Sequence, residues 1–221
     1  MKYKFHYLMY AVLLFFYSIG NNFHDIHSYL GSGMDQIKDI DIFIIMRILL
    51  WICLIMTMII CSVGIFEDYY FDNYIYFKIR NLEKKWFHLI LKKIIGVLLI
   101  MIIMNVMVGM FTTKSIYLDV DIVLLISWKL LQSIFIILLI IFLCISFKYD
   151  GVINIIFGFI LVLSFVSIML PINNLIRGFI YANINTVHWT TISYMLGSIL
   201  LSYKIQKQLE KEGGNKQWRK K

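Results

Sequence analysis

The chain has 221 residues, of which 61% are hydrophobic and 15% charged, with a mean hydropathy of +0.80. Soluble domains carry about 25% charged residues, so this balance excludes an ordinary water-soluble globular protein. The formal net charge of +8 invites comparison with nucleic-acid binders, but the placement of Lys and Arg along the chain gives that charge another meaning, and no nucleic-acid partner is expected.

A single proline, Pro171, and long runs of Ile, Leu and Met suit uninterrupted helices. The apolar runs also exceed the about 9–11 residues of a membrane β-strand, which excludes a barrel. About 20 apolar residues are needed for a helix to cross the hydrocarbon. Runs of that kind predict an all-α membrane protein with six spans at about 5–21, 41–66, 89–112, 121–147, 152–172 and 186–205. Together they make one six-helix domain over 1–205, followed by a basic tail at 206–221.

The first run follows Lys2 and Lys4 and has the outline of a signal peptide, but 21–27 lacks a small-x-small cleavage site, so a retained first helix is expected. The next loop carries His24 and His27 in H-x-x-H spacing with no evident third ligand, and no metal is expected. Cys53, Cys61 and Cys144 all fall inside spans and read as small packing residues. Arg47 in the second span and Lys129 in the fourth each lie about two turns in from the outer surface. The leading reading is that these long side chains snorkel to outer headgroups. The other is that both face a common outer cavity and contact an anionic group of a substrate or lipid. Asn105, Gln132, Ser133, Asn154 and Ser164 are expected to join helices through hydrogen bonds.

Sixteen of the 21 Lys and Arg residues fall on one side of this arrangement: at the N-terminus, between spans two and three, at Lys148 and in the tail. The positive-inside rule then puts both termini and that loop in the cytoplasm, and an even number of spans agrees. The basic balance is thus a topology signal, with the tail set against anionic lipid headgroups.

The segment from Glu67 to Ile94 is the most informative. Phe71, Ile75, Ile79, Leu82 and Trp86 recur at spacings of four, four, three and four, which places them on one helical face. Asp68, Asp72, Arg80, Glu83 and Lys84 fall largely elsewhere. An amphipathic helix at the cytoplasmic interface is predicted, turning into the third span near Trp86.

A six-span chain of this size, with both ends inside, resembles the ABC-2 type permeases of ATP-binding-cassette exporters. The run Ile79-Arg80-Asn81-Leu82-Glu83-Lys84-Lys85-Trp86-Phe87, with Lys92 and Lys93 after it, is similar to a pattern in small permeases linked to bacteriocin, lantibiotic or toxic-peptide export and immunity. The resemblance implies a coupling helix between spans two and three, seated in a groove of a cytoplasmic ATPase. Its residues would come from Glu67, Asp68, Asp72, Ile75 and Ile79, then Arg80, Glu83, Lys84 and Trp86. It also implies a second permease copy, an ATPase dimer and a peptide substrate, in the plasma membrane of a bacterial cell. The chain lacks a G-x-x-x-x-G-K-[ST] loop, so ATP and magnesium would sit on the separate ATPase and no cofactor is expected here.

Three other readings compete. An intramembrane peptidase would need a nucleophile with a base, or a metal motif such as H-E-x-x-H, and neither is seen, so no catalytic residue is expected. A six-span substrate-binding subunit of a vitamin uptake system matches in length, but its small-residue docking face is missing from the first span. A non-transporting immunity protein that sequesters a peptide also remains open.

Overall fold

The computed structural model describes residues 4–19, 30, 42–79, 83–113, 120–147 and 186–212. Among these residues the chain is all-helical, with helices α1 (Lys4–Ile19), α2 (Ile42–Ile79), α3 (Glu83–Thr113), α4 (Val120–Phe147) and α5 (Val187–Glu212). Three of them contain stretches long and apolar enough to cross a membrane: Leu49–Phe66 in α2, Lys85–Thr112 in α3 and Val120–Leu143 in α4. The fifth expected span, the H-x-x-H loop and the tail beyond 212 lie outside the described residues.

Helix α1 has 16 residues and contains neither Gly nor Pro. This described stretch alone is shorter than the about 20 residues of a full crossing. Tyr10, Leu14 and Tyr17 recur at helical spacing and are buried, whereas Phe5, Leu8, Val12, Phe15 and Phe16 are exposed. The outward face is thus at least as apolar as the inward one, an arrangement suited to a lipid environment and costly in water.

Helix α2 runs for 38 residues. Its apolar stretch ends at Phe66, yet no Gly or Pro occurs between 65 and 79, and nothing in that run stops backbone hydrogen bonding. The 67–79 segment therefore continues α2, where the sequence had suggested a helix leading into the third span. Helix α3 begins at Glu83, six residues before the expected boundary at 89.

Helix α5 covers the expected sixth span but is not among the three strongly apolar helices. Its buried face carries Thr190, Tyr194 and Ser198, while Trp189, Ile192, Leu196, Ile199 and Leu200 point outward. Its overall hydropathy is lowered chiefly by the Lys- and Gln-rich end of the helix, where Lys204 and Lys207 are exposed.

Helices α1, α2 and α3 pack on one another, and α4 packs most extensively on α5; contacts between these two groups are sparser. Tyr10 meets Met58 and Tyr7 lies near Cys61, so α1 runs antiparallel to α2. Helices α4 and α5 are parallel. The Trp128 side chain bonds Thr190, and 18 residues further along both helices Ser146 Oγ donates to Gln208 Oε1 at 3.2 Å. Where the surroundings are lipid, apolar burial supplies little driving force between helices, so packing contacts and the few interhelical hydrogen bonds carry the association.

Most of the small hydroxyls turn back on their own helices. Thr57, Ser62, Thr112, Ser127, Ser133, Ser193 and Ser202 each donate to the carbonyl four residues earlier. This satisfies each O–H without a partner from another helix.

Candidate functional site

Among the described residues, two buried polar clusters interrupt the apolar interior. In the first, the Tyr10 hydroxyl donates to Asn105 Oδ1 at 2.8 Å and lies 3.9 Å from Met58 Sδ. Tyr10 and Asn105 are both buried, and the cluster ties α1, α2 and α3 together. Its geometry is that of a structural clasp, with donor and acceptor matched.

The second cluster centres on Lys129, whose side chain is 3% exposed. Its ammonium lies 4.2 Å from the centroid of the Trp51 ring and 5.9 Å from that of Trp128. Trp51 is the tenth residue of α2 and Lys129 the tenth of α4, so the two meet at matched depth. Lys129 Nζ has no hydrogen-bond partner among the described residues. Its polar neighbours are already engaged. Trp128 Nε1 donates to Thr190 Oγ1 at 3.0 Å, Ser133 Oγ donates to the Lys129 carbonyl at 2.8 Å, and Gln132 hydrogen-bonds Tyr194. Tyr194 also stacks edgewise on Trp128 and at a tilt on Phe135, closing the α5 side.

This corrects the reading of Lys129 as a snorkelling side chain: it points into the bundle. Arg47 lies in α2 one turn before Trp51, and its side chain lies outside the described residues. Among the expected interhelical bonds, Asn105 and Gln132 reach other helices, and Ser133 bonds within its own. Asn154 and Ser164 lie outside the described residues.

In the proposed ATPase-coupling region, Trp86 is fully buried and meets Phe66 edge-to-face, with ring centroids 6.2 Å apart. The indole thus packs the start of α3 against the end of the apolar part of α2. The 67–79 backbone is helical, with Glu67, Asp68, Asp72, Ile75 and Ile79 along it, but their side chains lie outside the described residues, as do those of Glu83 and Lys84. Arg80 lies wholly outside them.

Sequence reasoning singled out Lys129 but not Trp51, Trp128 or Thr190. A usable signal was present: membrane tryptophans concentrate at interfaces, and these two sit well inside helices beside a lysine of equal depth. A scan against protein-family models and searches of curated proteins and of solved structures find no match to this chain.

Proposed function

We propose that this chain is the membrane-spanning permease subunit of an ATP-driven exporter of the ABC-2 type, moving amphipathic or hydrophobic peptides out of a bacterial cell. The observation that carries the reading is the length of α2. Thirteen helical residues continue past Phe66 to Ile79, and α3 starts again at Glu83. At about 1.5 Å per residue, that extension reaches roughly 20 Å beyond the apolar stretch. A rigid helical projection between two crossing helices is the form an ATPase can push. Because α2 is continuous, a displacement at its tip is transmitted to Trp51, at the seam with α4.

The helix directions support the six-span topology. Parallel neighbours α4 and α5 require the chain between 147 and 187 to return from one end of the pair to the other. Their paired contacts are 18 residues apart on each helix, about 27 Å, which approaches the thickness of the hydrocarbon. A span at 152–172, as the sequence leads one to expect, would be such a return pass. With α1 antiparallel to α2, the start of α1, the tip of α2 and the end of α5 then share one side, in keeping with the clustering of Lys and Arg.

The reading predicts that the tagged chain, crosslinked in its native membrane and purified, carries a P-loop ATPase with it. Charge reversal by R80E or E83K should uncouple ATP hydrolysis from peptide export while leaving the amount of chain in the membrane unchanged. Wild-type material free of any ATPase, or full export by both variants, would remove the coupling assignment.

A further inference from the structure

Lys129 is the only buried charged side chain among the described residues. An ammonium offers three donors, and a buried one needs acceptors and a compensating charge. Trp51 and Trp128 attract a cation through their ring faces but carry no net negative charge. The nearest acidic residue along α4, Asp121, is exposed and eight residues away, about 12 Å along the helix. Gln132 and Ser133, one turn further along α4, bond to Tyr194 and to the Lys129 carbonyl, and no acceptor among the described residues bonds Nζ. Among the described residues this cation is thus faced by two indoles and by no anion.

The position of the group adds a second argument. Lys129 belongs to the α4–α5 pair, the most extensively packed among the described helices, whereas Trp51 belongs to α2, which packs on α1 and on α3 more than on α4. The ammonium thus sits at the contact between α2 and α4, with an aromatic ring from each helix. We propose that Lys129 is the recognition residue of an oxyanion site inside the bundle, which takes the carboxylate or phosphate of an amphipathic molecule when α2 and α4 part. The apolar walls select a ligand with a single acidic group on a hydrophobic body, and the oxyanion supplies both the acceptors and the charge. The proposal requires only the seam and its cation, and it holds whether or not an ATPase drives the opening.

Two sources of that chemistry are separable with the full-length chain in lipid nanodiscs. One arm compares phosphatidylcholine discs with discs containing phosphatidylglycerol. The other titrates phosphatidylcholine discs with sodium octanoate. Thermal unfolding is followed for wild type, K129R and K129M. A saturable rise of several degrees in Tm is expected for wild type and K129R in at least one arm, and none for K129M. A rise with phosphatidylglycerol alone identifies a lipid headgroup as the ligand, and a rise with octanoate identifies a free amphipathic anion. Without either anion, K129M should unfold at or above the wild-type temperature, because it removes an uncompensated charge at similar volume. The proposal is overturned by a wild type that responds in neither arm, by a K129M response equal to wild type, or by a K129M Tm below wild type without anion.

Discussion

A hydroxyl enclosed by apolar helices has few acceptors to choose from, and Tyr10 finds Asn105 at 2.8 Å. Tyr10→Phe leaves the Asn105 carbonyl unpaired and should cost about 1 kcal/mol, within the range measured for side-chain bonds in membrane bundles. The double variant Y10F/N105L should lose less than the sum of the two single changes, and unfolding in detergent reads both quantities. At this scale the sequence was only partly legible. It marked Asn105, Gln132 and Lys129 as polar groups needing an explanation, because each stands alone in an apolar run. It did not reveal which way Lys129 points. Helix α4 is apolar around most of its circumference, so periodicity distinguishes no inward face, and a long side chain in such a helix is equally compatible with snorkelling. Ser133 was misjudged for a simpler reason: a helix always offers a serine a carbonyl one turn back, and that local bond needs no partner helix.

Between elements, the closest approach is that of α5 to α4. A Cβ added at Gly197 would lie 2.6 Å from the edge of the Phe135 ring, a ring that also packs against Tyr194 with centroids 5.5 Å apart. Gly197→Val must displace that ring and should destabilise the pair by about 1–3 kcal/mol. At Gly96, in α3, the space a Cβ would occupy has no neighbouring atom within 4 Å, and Gly96→Ala should instead raise stability by about 0.5–1 kcal/mol through helix propensity alone. Thermal unfolding of both variants in the same detergent checks the opposite signs. The elements themselves were read from apolar length, which located α2, α3 and α4 well and misplaced two boundaries. The composition changes at Glu67, but a helix ends where its hydrogen bonding is interrupted, and 65–79 contains no residue that does so. The spacing of Phe71, Ile75, Ile79, Leu82 and Trp86 puts them on one face, and Phe66 covers Trp86. A spacing rule identifies residues that share a face and cannot identify what that face meets.

For the whole molecule, the testable matter is sidedness. Lys85 and Lys207 are exposed at the α2–α3 end and near the end of α5, and Val120, at the start of α4, is exposed at the opposite end. On a background lacking the native cysteines, K85C and K207C should react with an impermeant maleimide only after the cells are permeabilised, whereas V120C should react in intact cells. Labelling of K85C and K207C from opposite sides would rule out the six-span reading. This expected orientation rests on the distribution of Lys and Arg along the sequence. The parallel pairing of α4 with α5 was not, since it depends on contacts 62 residues apart that leave no local pattern.

That pairing also has a consequence for biogenesis. As the chain is made, α4 leaves the insertion machinery with Trp128, Gln132 and Ser146 lacking their α5 partners. The matching residues of α5 are each about 62 residues behind, or roughly 3–12 seconds at synthesis rates of about 5–20 residues per second. During that interval a polar stripe faces lipid or an insertase, and it is then that quality-control proteases have their clearest view of an unfinished chain.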